Sequence, residues 1–337
     1  MASSSKEISE PYKKQLADIK SAPVYDKWWK RYEEYASGRG VPVDDVATFM
    51  NWLCKMKQND EFAPTTIITA GSCVNSRMKL EYNKNFMDHM LVKDIIKKMQ
   101  KESAPKQAAI FSAEQIDYFV LNAPETLDNK IKKIIALIAI QGALRISELT
   151  NLDYNDITLL DNGSMSIRIK SSKTDQAARG HNFIVTPNCK PELCCVTRIK
   201  EYLELFDEKE GRLFRSATKS GKLSKQPIGI NTIGKLPGYI ATFLKLPNIA
   251  EYTGHSFRRT SATILSEKGI GIVELKQHGR WRSSSVAERY VVNTNAKKMK
   301  TSNMIQNVNN AEDKSTCEES IFQNCSFVNC NFSIANN

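Results

Sequence analysis

Apolar residues recur at helical spacing along most of the chain, and short alternating runs break that pattern in one place. "VYDKWWKRYEEYASGRG", Val24 to Gly40, sets its aromatics at helical intervals and stops at Gly38 and Gly40. "DDVATFMNWLCKM" opens on acidic residues and shows an apolar face through Phe49, Trp52, Leu53 and Met56. "APTTIITAGSCVNSRMKLEY" starts after Pro64 with threonines as capping candidates. Val24 to Met99 therefore predicts a small bundle of about four helices. "QKESAPKQAAI" breaks the pattern with Pro105 and mixed charge, and reads as a linker.

A second region begins at "FSAEQIDYFV", where Ser112 is placed to cap a helix with Glu114 in its first turn. "DNKIKKIIALIAIQGAL" is the most apolar helical stretch and is expected at the centre of a core. "MSIRIKSS" and "HNFIVTP" read as two strands, with "KTDQAARG" turning between them. Helices resume at "PELCCVTRIKEYLELF", at "INTIGKLPGYIATFL" and from Ser256 onward. The fold class expected is mainly α with one small β-hairpin.

After Tyr290 the chain turns Asn- and Lys-rich, and Phe322, Phe327 and Phe332 recur every five residues, as do Cys325 and Cys330. That period fits neither helix nor simple strand. It reads either as a short pentapeptide-repeat coil, which needs stacking neighbours, or as a disordered tail. The expected division is a flexible N-terminus (1–23), a helical domain (24–100), a linker (101–110), a hairpin-bearing helical domain (111–295) and a C-terminal tail (296–337).

Composition narrows the function. The 337 residues carry 48 Lys+Arg against 37 Asp+Glu, a net charge of +11, which suits a polyanionic partner without requiring one. No apolar run is long enough to cross a membrane, and "MASSSKEISEPYKK" lacks a secretory apolar region. The eight cysteines form no CxxC pair and no zinc pattern, so free thiols in a cytosolic or nuclear protein are expected, with no metal and no cofactor.

Six positions carry candidate chemistry. "QGALRISELTNL" places Arg145 at the end of the most apolar helix, followed by Ser147, Glu148 and Leu149. "IKSSKTDQ" places Lys173 at the predicted hairpin tip, with Lys170 on the same strand as a competitor for its role. "GHSFRRT" supplies His255 and Arg258, three apart and on one face of a helix. "HGRWRSSSVAERY" supplies Trp281 and, nine residues on, Tyr290. Each has an ordinary reading alone: a helix C-terminal cation, a solvated turn lysine, a chance HxxR pair, two packed aromatics.

Together and in this order they resemble the tyrosine recombinase (integrase) family, whose signature is Arg, hairpin Lys, HxxR, His or Trp, then a nucleophilic Tyr. The resemblance covers residues 24 to 295, and "GRWRSSSVAERY" looks most like the Crypton-type recombinases of eukaryotic mobile elements. Bacterial members more often carry "LGH", with His where this chain has Trp281. His278, three residues earlier, is then a residue that supports the phosphate site from behind or touches the phosphate.

The resemblance implies a helical core-binding domain that clamps DNA, followed by a catalytic domain. It also implies cleavage and rejoining of duplex DNA through a 3′-phosphotyrosyl intermediate on Tyr290, by a homotetramer on two DNA partners, in DNA integration or transposition. A nuclear site of action follows if the source is eukaryotic. Arg145 and Arg258 offer planar forks to the non-bridging oxygens, where charge grows in the transition state. His255 donates to the phosphate or assists in deprotonating the tyrosine, and Lys173 suits a general acid. Trp281 donates its indole N–H or packs the tyrosine helix. No metal is called for, since no carboxylate cluster is in place to hold one, and no ATP, because one phosphoester replaces another.

For holding DNA, "GRLFRSATKSGKLSKQP" brings Arg212, Arg215, Lys219, Lys222 and Lys225 together with no acidic residue, as a backbone-contacting loop or merely a solvated one. Arg280 and Arg282 flank Trp281 as further DNA contacts, and Arg31, Lys55, Lys57, Arg77 and Lys79 are phosphate candidates in the first helical region. Two other readings stand beside the recombinase: a type IB topoisomerase-like enzyme, disfavoured by the short step from HxxR to Tyr290, and a domesticated, non-catalytic DNA-binding module. An interaction protein working through its tail would leave the six positions unexplained.

Overall fold

The computed structural model describes residues 22–102, 107–170, 180–289 and 295–305. Its contacts divide the chain into two compact units, Met1–Lys106 and Gln107–Asn337.

In the N-terminal unit lie α1 (Ala22–Ser37), α2 (Val46–Gln58), α3 (Pro64–Glu81) and α4 (Met90–Glu102). Asp45 caps α2, its carboxylate accepting from the Thr48 N–H at 2.9 Å. The threonines expected to cap α3 do not: Ala63 stands at its N-cap, and Pro64 fills the first turn, where a missing N–H costs nothing. α3 packs against the other three helices over a core of Tyr32, Phe49, Trp52, Leu53, Ile67 and Met78. The aromatics meet edge-on or tilted, Tyr32 and Trp52 at 5.1 Å and Phe49 and Phe86 at 5.1 Å between centroids. A fully buried ring such as Phe49 contributes about 2–3 kcal/mol.

The C-terminal unit begins with α5 (Ala113–Asn122), α6 (Leu127–Gln141) and the short α7 (Ile146–Thr150). Ser112 and Gln115 form a reciprocal capping box at the start of α5. α6 is the central helix, burying Ile131, Ile134, Ile135 and Ile138 against its neighbours. It also encloses Lys133, whose ammonium donates to the Ala123 carbonyl at 2.7 Å and pairs with Glu125.

Strands β1 (Ile157–Leu159), β2 (Met165–Ile169) and β3 (His181–Val185) form an antiparallel sheet in that order. The predicted hairpin is β2–β3, with Met165 opposite Val185 and Ile169 opposite His181. Met165, Ile167 and Ile169 alternate into the core, so a one-residue slip would expose all three.

After α8 (Cys195–Leu203) the structure departs from expectation. The basic stretch expected as a loop is a second hairpin, β4 (Arg215–Ala217) with β5 (Leu223–Pro227). It turns at Gly221, whose φ is +77°, and is fastened by the Lys222 N–H to Thr218 Oγ1 at 3.0 Å and by Ser216 against Ser224 at 2.9 Å. Both β1 and this hairpin escaped the sequence reading, because one is three residues long and the other has almost no apolar alternation.

The remaining helices are α9 (Ile230–Phe243), α10 (Ser256–Glu267), α11 (Ile272–Gly279), α12 (Ser284–Glu288) and the unexpected α13 (Asn295–Ile305). Among the described residues no helix is long and apolar enough to cross a membrane.

Candidate functional site

Four of the six signature residues can be placed, and they gather on the corner between α6 and α7. Gly142 caps the C-terminus of α6, and Ala143 turns the chain with φ of +46°. Arg145 then stands at the N-cap of α7, where its own backbone N–H donates to Glu148 Oε2 at 2.9 Å and its guanidinium to Oε1 at 2.6 Å. The Arg-x-x-Glu spacing that closes this cap was visible in the sequence, but Glu148 received no role there. Burial would raise the Glu148 carboxyl; the Arg280 charge, then the backbone and guanidinium of Arg145, outweigh it and hold the pKa below the ordinary range.

His255 sits directly before α10 and Arg258 on its first turn. Gly254 explains why that end lies beside Arg145: a Cβ there would come within 2.5 Å of the Ile146 side chain, so only glycine permits the approach. The His255 residue is exposed, yet partial desolvation of its ring, then the charges of Arg258, Arg145 and Arg259, lower its pKa and favour neutral imidazole.

Arg258 is wholly buried. Its Nη1 donates to the Ala143 carbonyl at 2.5 Å and its Nη2 to the Gly279 carbonyl, while the Trp281 ring lies 4.6 Å from its guanidinium carbon. Trp281 itself rests on the backbone of Gly279, where any side chain would collide with the indole, and packs with Ala262, Leu275 and Ala287. In this conformation Trp281 is a packing residue against Arg258.

His278 reaches Ser261 Oγ with Nε2 at 3.3 Å, and its pKa is pushed down to about 4 by burial, then by Arg280, Arg258 and His181. His181, at the foot of β3, was missed by the sequence reading; burial and then the Arg280 charge lower its pKa too. Lys173 and Tyr290 lie outside the described residues.

Lys170 is already engaged. Its ammonium donates to Asp153 Oδ2 at 2.7 Å and lies 3.3 Å from Asp156 Oδ1, which raises its pKa. Asp153 also holds Arg212 at 3.0 Å, so one carboxylate joins the foot of β2 to the chain that leads into β4.

The proposed DNA-holding residues are not equivalent. Arg215 stacks on Phe206 at 4.5 Å and donates to the carbonyls of Glu210 and Arg212, and Lys225 pairs with Glu208 at 2.8 Å. Lys219 and Lys222 flank the exposed turn of the second hairpin, and Arg282 is exposed beside Trp281. Arg280 points inward: its side chain is 8% exposed and its guanidinium donates to Glu148 Oε2 at 2.9 Å.

In the N-terminal unit, Lys55, Lys57 and Arg77 are paired with Asp60, Glu102 and Glu81 respectively, and Lys79 is exposed. Arg31 lies 5.4 Å from the rings of both Trp28 and Phe62, at the wall of a cavity of about 590 Å³. Among the described residues no three His, Cys, Asp or Glu side chains gather as metal ligands.

Comparison with known proteins bears on the family and the fold. The sequence pattern of the phage integrase family matches residues 109–297. An integrase/recombinase xerD homolog of Selenomonas ruminantium is 25% identical over 185 residues, 54% of this chain and 53% of that protein. The chain thus spans about half the length of that curated relative. Two solved structures share the fold: the Tn1549 transposon integrase in complex with transposon right end DNA (16% identity, TM-score 0.57, covering 87% of this chain and 97% of that one) and a lambda integrase dimer bound to a COC′ core site (15% identity, TM-score 0.55, covering 85% and 94%). With the integrase pattern matched across more than half of its length, and the Arg145, His255 and Arg258 positions on one corner, the chain belongs to the phage integrase family of tyrosine recombinases.

Proposed function

We propose that this chain is a site-specific DNA recombinase or transposase that cleaves and rejoins duplex DNA through a 3′-phosphotyrosyl intermediate on Tyr290. The observation that carries the reading is the seating of Gly254 on Ile146, which sets neutral His255 beside Arg145 although 110 positions separate them in the chain.

In the reaction, Tyr290 Oη attacks phosphorus and its proton passes to His255. The P–O5′ bond breaks as O5′ takes a proton from Lys173. One phosphoester replaces another, so religation is the reverse step and needs no outside energy. Lys170 is committed to Asp153 and Asp156, which favours Lys173 over Lys170 as the acid. Arg145 meets the charge growing on the non-bridging oxygens. Arg258 joins it only if Trp281 and Gly279 shift, since its donors now face the carbonyls of Ala143 and Gly279.

Duplex DNA is held through its phosphates, by the exposed Lys219, Lys222 and Arg282 more than by the internally paired arginines. The helical N-terminal unit serves as the core-binding domain that clamps DNA. The motif around Trp281 supports a Crypton-type assignment, and with it a nuclear site of action. Assembly as a tetramer is supported by α13, which exposes Met299, Met304 and Ile305.

A non-catalytic DNA-binding module is the second reading, favoured by the complete enclosure of Arg258. The deciding experiment incubates nicked duplex carrying the element's end sequence with wild type and with Tyr290→Phe, in EDTA. The expected result is a covalent protein–DNA band from wild type alone. Binding by both without any band moves the module reading ahead, and a band from both means that another tyrosine is the nucleophile.

A further inference from the structure

We infer that Arg280 is a positioning residue that fixes Arg145 through Glu148, and is not a contact to DNA; the role rests on the recombinase reading above. Arg280 follows the last residue of α11 with φ of +54° and ψ of +43°, a left-handed conformation in which a Cβ is disfavoured and glycine is the usual occupant. An arginine held there is strained, and strain of this kind persists where the surrounding contacts over-determine it.

The contacts do so here. Nη1 donates to the carbonyls of Gly142 at 3.0 Å and His278 at 3.1 Å. Nη2 donates to Glu148 Oε2 at 2.9 Å and lies 3.4 Å from the Ala143 carbonyl. The same carboxylate holds the Arg145 backbone N–H and guanidinium, so Arg280, Glu148 and Arg145 form one continuous chain of charged hydrogen bonds. Arg258 reaches the same Ala143 carbonyl from α10 and ties it to Gly279.

Two arginines thus lace the Gly142–Arg145 corner to the Gly279–Trp281 corner. A guanidinium turned toward three carbonyls and a carboxylate, with 8% of its side chain exposed, has no fork left for a phosphate. Lysine could not replace it, because a single ammonium cannot serve both nitrogens' partners at once.

The test uses the full chain with Arg280→Gly, which accepts the left-handed conformation without strain, and Arg280→Lys. Adduct formation is measured on duplex with a natural scissile phosphate and with a methylphosphonate, which lacks one negative oxygen and so depends less on Arg145. The expected result for Arg280→Gly is unchanged DNA affinity and salt dependence with adduct formation slowed about 100-fold, the cost of a small misplacement. The defect shrinks on methylphosphonate and adds nothing to that of Arg145→Ala, and Arg280→Lys does not restore the rate.

Weakened binding with a salt slope reduced by about one unit would instead make Arg280 a phosphate contact and overturn the inference. A defect equal on both substrates and additive with Arg145→Ala would reduce it to a folding residue. If wild type forms no adduct, the recombinase reading fails and takes this role with it. Titration of the Glu148 carboxyl by NMR separates the two failures: its pKa rises in Arg280→Gly if the strut exists, and an unchanged titration overturns the strut even where the chemistry is intact.

Discussion

Among the described residues, the N-terminal unit closes its core with aromatic and aliphatic side chains and buries only Thr48 and Asn75 among polar ones, whereas the C-terminal unit encloses Lys133, Glu148, Asp156, Arg258 and Arg259. Cations of the first unit are spent at its surface, as in Lys55–Asp60 and Arg77–Glu81. In the second, Arg258 and Arg280 are drawn inside and aimed at carbonyls and at Glu148. Enclosing a charge is costly unless every donor is met, so it is retained where a fixed orientation matters more than stability. The contrast separates a unit closed by packing from one that also encloses charge.

The contrast is sharpest in large-to-small changes. Phe49→Ala should destabilise the N-terminal unit by about 4 kcal/mol through lost transfer and an unfilled cavity. Arg258→Ala should cost the C-terminal unit about 3 kcal/mol, because the Ala143 and Gly279 carbonyls lose a charged donor. Amide exchange read by mass spectrometry during urea titration assigns each loss to its unit; an Arg258 effect near zero would break the comparison.

Acid should act next, and in the C-terminal unit through His278 and Glu148. His278 has its folded pKa depressed to about 4, so its contribution is complete above the unfolded value near 6.5 and is lost as pH falls from there toward 4. Glu148 is also depressed, so its contribution is complete above the ordinary carboxylate range and is lost on further acidification through its folded value. His278→Gln should flatten the first limb of the urea midpoint against pH, and Glu148→Gln the second. The smallest effect belongs to the partly exposed surface cluster of Arg77 with Asp26 and Glu81: Arg77→Ala should change stability by about 1 kcal/mol, shrinking in added salt.

Much of the helical framework was legible because its signals are local. Ser112 and the apolar stripe of α6 act within a turn or two of themselves, and each did what its neighbours in sequence suggest. Where the local signal was weak, the reading failed. β1 is too short to alternate, the β4–β5 hairpin is too polar to look like strands, and Pro64 displaced the threonines as the start of α3.

The order and spacing of Arg145, Lys173, His255, Arg258, Trp281 and Tyr290 were enough to suggest the family, since residue type and spacing are read directly from the chain. Sequence order could not say how each donor is spent. That Arg258 lies under Trp281, that Lys170 is held by Asp153, and that Arg280 turns inward were decided by which carbonyls and carboxylates the fold brings within about 3 Å. A hydrogen bond is short-ranged and directional, so residue type alone fixes what a side chain can donate, while only the tertiary structure fixes to whom.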